Sequence, residues 1–224
     1  MPEIKIDKII RSKRKTIALI VTPEATLVVR APFKTQLAYI EKLVRQKRTW
    51  IQEKQARFQR TYHKAQPKEF VNGEGFLYLG KEYKLDIVNN QDQPVILDGN
   101  LKIAQACLSQ ARAYLIAWYK DQALQKITKR VEWYAKQAGL AYRSVKITNA
   151  QKRYGSCGTK GTLNFSWRLI MAPLRVLDYV VVHELAHLDE KNHSRKFWNK
   201  VKVTLPDYRD RQEWLKENGG GLSV

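Results

Sequence analysis

The stretch PLRVLDYVVVHELAHL, residues 173–188, decides the fold of this chain. Proline is favoured at the first position of a helix, so Pro173 marks where this one begins. Apolar residues then occupy nearly every side of the helix, and a helix that is apolar all round is buried. The sequence therefore predicts a central, buried helix that carries the motif His-Glu-x-x-His.

Three of the four histidines in the chain fall in this region. His183 and His187 are four residues apart, so they share one side of the helix, and Glu184 lies beside them. His193 follows closely enough for the chain to leave the helix and fold back. Three neutral imidazoles leave a fourth tetrahedral position open, which is typical of catalytic zinc sites. Histidines satisfied within an apolar core are the alternative, but burying these groups and a Glu without a metal is costly.

We therefore expect one Zn²⁺ per chain, bound by His183, His187 and His193. Zinc makes hydroxide available near neutral pH and polarises a carbonyl group. Glu184 is the expected general base, which takes a proton from water and passes it to the leaving amine.

The rest of the pattern predicts an α+β fold with two parts. Residues 1–104 form a small, basic, β-rich region with one long helix at about 35–60, since alternating apolar residues give way there to helical spacing. Residues 105–224 form the catalytic domain. It begins with a helix from about 106 to 138, closed by Gly139. A hairpin of residues 145–147 and 163–169 then leads to the histidine helix.

Composition narrows the class of protein. The chain is 44% hydrophobic and 10% aromatic, which excludes a disordered protein. No apolar run is long enough to span a bilayer, and the N-terminal residues lack the apolar core of a secretory signal. We expect a cytoplasmic protein with no membrane partner. Cys107 and Cys157 are expected to be free thiols.

The net charge of +20 is concentrated near the N-terminus. Residues 1–70 contain 17 basic and 6 acidic residues, a net +11. The electrostatic field of this positive charge attracts polyanions, so we predict non-specific binding of DNA or RNA. The candidate nucleic-acid-binding side chains are Arg14, Arg45, Arg48 and Arg57. A solvated basic surface without a partner is the alternative.

Several stretches together resemble the YgjP-like metallopeptidase family, which is related to the SprT-like proteases. They are Arg11–Thr16, Trp50-Ile51, Tyr78–Lys81, Tyr154–Cys157, Leu163–Leu169, Ala172-Pro173, Asp178-Tyr179, His183–His187, Asn192–Ser194 and Phe197-Trp198. The resemblance covers most of the chain. It implies a minimal zincin fold whose zinc is held by the three histidines, and nucleic acid as a means of reaching protein targets. The family pattern has Trp in place of Tyr154, which leaves the metal site untouched.

The histidine spacing is also that of the metzincins. That subgroup has Gly three residues after the second histidine, whereas this chain has Glu190. A Met-turn downstream is not evident either, so we exclude the metzincins.

Other candidate site residues rest on weaker patterns. An edge strand near the zinc can pair with an extended substrate through backbone hydrogen bonds. Residues 154–157 or residues 164–167 could form this edge strand. Asn164 is a candidate for binding the substrate. Tyr208 is a candidate donor to the oxyanion, against the alternative of a surface tyrosine at a helix start. Asp178 is expected to be structural.

Three functions remain open on the sequence. The first is a zinc peptidase acting on peptides or proteins, including proteins bound to nucleic acid. The second is a nucleic-acid-binding protein built on an inactive zincin scaffold, although the presence of Glu184 argues against it. The third is a zinc hydrolase of a non-peptide amide or ester.

Overall fold

The computed structural model describes residues 4–22, 24–64 and 68–224, without the side chains of residues 57–64. Two compact units divide the chain, residues 1–66 and residues 67–224. Across the described residues the fold is mixed α+β, with three small sheets and six α-helices. None of the helices in these ranges has the length and apolarity that crossing a bilayer requires.

The first unit consists of a three-stranded sheet and two helices. Its elements are β1 (Lys8–Ser12), β2 (Ala18–Val21), β3 (Leu27–Pro32), α1 (Leu37–Gln46) and α2 (Arg48–Lys64). The strand order is β1-β3-β2, in which β3 pairs parallel with β1 and antiparallel with β2. Alternate residues of β3 are buried against Ile40, Val44 and Ile51 of the helices, which form the core of this unit.

The long helix expected at about 35–60 is two helices. The chain breaks the first helix at Lys47, whose φ of −99° and ψ of 17° are not helical, and α2 begins at the next residue. The buried residues Val44 and Ile51 are seven positions apart, or about two helical turns. The buried residues therefore keep helical spacing on both sides of Lys47. For this reason the spacing of apolar residues alone could not reveal the break between α1 and α2.

The second unit opens with a four-stranded sheet in the order β4-β5-β7-β6. Its strands are β4 (Gly75–Tyr78), β5 (Lys81–Val88), β6 (Val95–Asp98) and β7 (Asn100–Ala104). Phe76, Leu85 and Leu101 from this sheet belong to the same hydrophobic core as the later helices. The boundary between the compact units thus lies at residues 66/67, not at 104/105 as we expected, because these strands pack with the catalytic domain.

A long helix, α3 (Ala111–Ala138), follows a short 3-10 segment at Gln105–Gln110. Its buried side chains recur at helical spacing, including Leu115, Tyr119, Ile127 and Val131. Gly139 ends it in the left-handed region, with φ of 63°, as the C-terminal glycine predicted.

The next sheet differs from the hairpin expected at 145–147 and 163–169. Three strands are present, β8 (Ser144–Thr148), β9 (Gly155–Cys157) and β10 (Thr162–Ser166), in the order β8-β10-β9. Strands β8 and β10 are parallel, and β9 reverses the chain between them to pair antiparallel with β10. Strand β9 lies within residues 154–157, one of the two stretches considered as an edge strand, although the sequence Gly-Ser-Cys carries no apolar alternation.

Three helices complete the second unit: α4 (Leu174–Asp189), α5 (Arg195–Thr204) and α6 (Tyr208–Asn218). Pro173 is the N-cap of α4, one position before the predicted one. Ten of its sixteen residues are buried, among them Val176, Leu177 and Val181. Helix α4 packs against α3, β9, α5 and α6, so the residues on it are held from several sides.

Candidate metal centre

Helix α4 brings His183 and His187 together. Residues four apart lie one above the other on a helix, and the centroids of the two rings are 4.9 Å apart. The surrounding residues Val182, Leu185 and Ala186 are buried, which fixes the rotation of the helix about its axis. Both histidines are half-buried at the edge of this core.

His193 reaches the pair from the turn between α4 and α5. Lys191 donates hydrogen bonds to the carbonyl oxygens of His187 and Leu188 and thereby caps the end of α4. Ser194 caps the start of α5 by accepting from the backbone N–H of Phe197 at 3.3 Å. Because both ends of the turn are held, the His193 ring lies over the helix, with its Nε2 3.0 Å from Nε2 of His183.

The environment of His187 selects one tautomer. Its Nδ1 lies 2.9 Å from the carbonyl oxygen of Glu190, which can only accept a hydrogen bond. In the neutral ring Nδ1 therefore carries the proton, and Nε2 presents a lone pair. Histidines that bind metals commonly make such a bond through the other ring nitrogen.

Two aromatic rings, those of Phe197 and Trp198, pack against the histidine cluster. Phe197 is fully buried, and its ring centroid lies 4.6–4.8 Å from those of all three histidines. Trp198 stacks on His193 at 5.7 Å with an interplanar angle of 28°. The exposed His193 ring thus gains its orientation from Trp198.

The three histidines meet the requirements for a metal ligand set. One nitrogen from each lies within 4.8 Å of the others. Ligands of a tetrahedral zinc, at about 2.0–2.1 Å from the ion, lie about 3.3 Å apart, close to the 3.0 Å between His183 and His193. Burial and the charges of the other two histidines lower the pKa of His183 to about 3, and the pKa of His193 is also lowered. Both rings are therefore neutral at pH 7, as metal ligands must be.

Glu184 lies on the buried side of α4 with 5% of its surface exposed. Burial raises the pKa of its carboxyl group to about 7, against the positive charge of Arg153 and hydrogen bonding from the Cys157 backbone. Among the described residues its Oε2 has no hydrogen-bond partner. A carboxylate in this state can exchange a proton with a substrate or with water near neutral pH.

Asp178 has the structural role that we expected. Both of its oxygens accept from Arg130 of α3, at 2.6 and 2.8 Å. The pair joins α3 to α4 five residues before His183.

Tyr208 is buried rather than on the surface. It is the first residue of α6 and is 8% exposed. Its ring stacks on Trp198 at 5.3 Å, so Trp198 lies between Tyr208 and His193. The Tyr208 hydroxyl accepts a bond from Arg209 at 3.3 Å. Tyr208 is thus one ring away from the histidine cluster, and its role as an oxyanion donor remains a prediction.

Asn164 lies in the middle of β10, and its amide donates to the Ser156 carbonyl at 3.3 Å within the sheet. Strand β10 has β8 on one side and β9 on the other, so residues 164–167 cannot provide the edge strand that we considered. Within the described residues, β9 pairs with β10 alone and is the edge that contacts α4. A substrate role of Asn164 remains a prediction.

The candidate nucleic-acid-binding residues belong to the first unit. Arg45 is exposed on α1, and Arg48 is half-buried at the start of α2. Arg14 is half-buried, and within the described residues its Nε has no partner. The side chain of Arg57 lies outside the described residues. Their role remains a prediction.

Sequence reasoning missed three contributors to the site. Phe197 and Trp198 entered only as part of a motif, although their position three and four residues after Ser194 places both in the first turn of α5. Gly155 entered only as part of the possible edge strand at residues 154–157, but besides beginning β9 it lies directly against Glu184. No signal in a single sequence indicates that contact.

Comparisons with known proteins place the chain in a family. No curated protein matches the chain. The metallopeptidase zymogen of Pyrococcus abyssi, abylysin, aligns with 41% of this chain and 97% of its own at 24% identity and a TM-score of 0.37. That likeness is too weak to carry an argument. The family model described as the YgjP-like metallopeptidase domain matches residues 15–218. Because the match spans most of both units, the chain belongs to the YgjP-like metallopeptidase family.

Proposed function

We propose that the protein is a zinc-dependent peptidase, with one zinc ion per chain held by His183, His187 and His193. The observation that carries the proposal is the convergence of one imidazole nitrogen from each of three histidines within 4.8 Å, next to a buried glutamate. Three protein ligands leave a position open for chemistry, whereas a structural zinc site is closed by four. A zincin-like arrangement built around α4 is part of this proposal.

The zinc ion, when bound, supplies Lewis acidity that polarises a carbonyl group and makes water acidic enough to deliver hydroxide near neutral pH. Glu184 acts as the general base: its carboxylate takes a proton from the attacking water and then gives it to the leaving amine nitrogen. A pKa of about 7 suits both steps, because the group is ionised often enough to accept the proton and acidic enough to return it. The buried site around Glu184 limits competition from bulk water.

Strand β9 is our candidate for binding an extended peptide. The Tyr154 carbonyl accepts from the Ser166 N–H of β10, and the Gly158 N–H donates to the Thr162 carbonyl of the same strand. Backbone groups alternate along a strand, so those of Gly155 and Cys157 point away from β10. A peptide that lies along this edge would place a carbonyl near the histidine cluster. This supports a peptide over a small amide or ester as substrate.

A second proposal concerns targeting. Residues 1–70 have a net charge of +11, which favours contact with polyanions. We propose that this unit binds nucleic acid without sequence preference, so that the peptidase acts on proteins found there. An inactive scaffold would have no need of Glu184, which argues against nucleic-acid binding as the sole function.

The proposed function is tested by incubating the purified protein with an unfolded protein substrate and following new N-termini. We expect cleavage that a chelator abolishes and stoichiometric zinc restores. The matched control is Glu184→Gln, which should retain zinc and lose about 10²–10⁴-fold in rate. If the zinc-loaded wild type does not cleave the protein substrate but hydrolyses simple esters or amides, the proposal of a peptidase is wrong and the protein is a non-peptide hydrolase.

A further inference from the structure

The strand β9 passes so close to Glu184 that only glycine fits at its first residue. A Cβ atom on Gly155 would lie 2.7 Å from Cγ and 2.8 Å from Cδ of Glu184, and closer still to Oε1. Separations under about 3 Å are far inside van der Waals contact. The clash involves Cγ as well as the carboxylate, so a rotation at the end of the side chain would not relieve it.

Neither backbone is free to move away. Gly155 is opposite the fully buried Phe165 in the β9–β10 pair, and the neighbouring Tyr154 carbonyl accepts from the Ser166 N–H at 2.9 Å. On the other side, Glu184 belongs to a helix packed against α3, α5, α6 and β9. The Glu184 side chain is therefore the part that must yield if Gly155 gains a methyl group.

We infer that Gly155 is a positioning residue for Glu184: its missing side chain leaves the space in which the carboxylate is held beside β9 and the histidines. The inference rests on the proposed function, in which Glu184 is the general base. Backbone conformation does not require glycine here, because the φ of Gly155 lies outside the positive range. The close approach of β9 to Glu184 is thus the reason for glycine at this position.

Two other glycines provide matched comparisons. A Cβ on Gly75 would lie 2.5 Å from Cδ of Glu82, a similar clash, but the Glu82 side chain is 59% exposed and can turn into solvent. A Cβ on Gly158, just beyond the same strand β9, would meet its nearest neighbour, the Thr162 carbonyl oxygen, at 3.4 Å. Neither glycine has a positive φ, so alanine introduces no backbone strain at either one.

The test compares Gly155→Ala with Gly75→Ala and Gly158→Ala in the zinc-loaded protein. For Gly155→Ala we expect unchanged zinc content, a kcat about 10²-fold lower and a KM changed by less than about threefold, because only the proton-transferring group is displaced. The two control variants should keep wild-type kcat. Adding Gly155→Ala to Glu184→Gln should lower the residual rate no further, since residues acting through one group are not additive.

A second measurement does not depend on activity. The melting temperature of Gly155→Ala should fall by several degrees, whereas Gly155→Ala added to Glu184→Ala should cost little, because the side chain that it meets is gone. If Gly155→Ala does not fold, recovery of folding in the double variant with Glu184→Ala supports the inference, and failure of that double variant to fold overturns it. Wild-type kcat in Gly155→Ala, or an equal fall in melting temperature in both backgrounds, also overturns it.

The proposed function and this inference fail in different ways. If Glu184→Gln cleaves as fast as the wild type, the general-base assignment is wrong, while the melting-temperature comparison still reports whether Gly155 makes room for Glu184. If Glu184→Gln is inactive and Gly155→Ala is as active as Gly158→Ala, the base stands and the positioning role of Gly155 is refuted.

Discussion

Each histidine of the cluster is oriented by a different neighbour. The carbonyl of Glu190 fixes the tautomer of His187, and Trp198 stacks on the exposed His193. His183 is half-buried and packs edge-on against Phe197. Because the rings are oriented before a metal arrives, little ordering cost remains when it binds.

We expect His183→Ala, His187→Ala and His193→Ala each to lower zinc affinity by more than about 100-fold. Removal of residues that only support a ligand already costs about 10–100-fold, and a direct ligand contributes more. Affinity is measured by competition with a chromophoric chelator. His63→Ala, which removes the fourth histidine of the chain, is the control. Wild-type affinity in His193→Ala would exclude His193 from the site.

Tyr208→Phe tests the oxyanion assignment. The substitution removes the hydroxyl and leaves the ring stacked on Trp198. If the hydroxyl stabilises the developing negative charge, kcat should fall by about 10²-fold with zinc content unchanged. Tyr83→Phe, on strand β5, is the control for removal of a hydroxyl elsewhere in the second unit. An unchanged kcat in Tyr208→Phe would remove Tyr208 from the mechanism.

At the scale of elements, the ion pair between Arg130 and Asp178 fixes helix α3 against helix α4. Asp178→Asn leaves the Arg130 charge without its partner, and we expect it to lower the free energy of unfolding by about 2–3 kcal/mol. Asp189→Asn is the control on the same helix, since the Asp189–Lys200 pair is about half-exposed and should contribute less than about 1 kcal/mol. Urea denaturation measures both. Equal destabilisation of the two variants would contradict the structural role of Asp178.

Elements with long periodic patterns were predictable from sequence, and short or closely packed ones were not. The apolar run after Pro173 and the helix that ends at Gly139 follow from local patterns. The place of strand β9 in the sheet did not, because it depends on pairing with β10 and packing on α4. The same limit applies to the domain boundary, which depends on the packing of β4–β7 against later helices.

The same distinction between local patterns and long-range packing applies to the candidate site. Spacing on one helix was enough to predict that His183, Glu184 and His187 lie together, and a short turn was enough for His193. The burial of Tyr208 and the contact of Gly155 with Glu184 arise from elements far apart in sequence. Such contacts leave no trace in the composition or period of either segment.

For the whole molecule, the uneven charge carries a prediction of its own. Replacing Arg45, Arg48 and Arg57 with Glu should weaken binding to duplex DNA. It should also make the binding constant depend less steeply on salt: the slope of its logarithm against the logarithm of salt concentration should fall by about 0.9 for each phosphate that is no longer neutralised. Zinc content should not change. The control is Lys120, Lys129 and Lys136 to Glu on α3, which alters the net charge equally. Equal weakening of DNA binding by both triple variants would mean that only the net charge matters. If the wild-type protein forms no complex with DNA at tens of micromolar, the basic residues are a solvated surface without a nucleic-acid partner.

The central claim is that three imidazoles bind one zinc and leave the fourth position to water. X-ray absorption spectroscopy of the protein loaded with one equivalent of zinc tests it most directly, because nitrogen ligands at about 2.0–2.1 Å are distinguished from sulfur at about 2.3 Å. We predict four nitrogen or oxygen neighbours, three of them with the outer-shell scattering of imidazole, and one imidazole fewer in His193→Ala. A sulfur neighbour from Cys157, or two imidazoles in the wild type, would contradict the account.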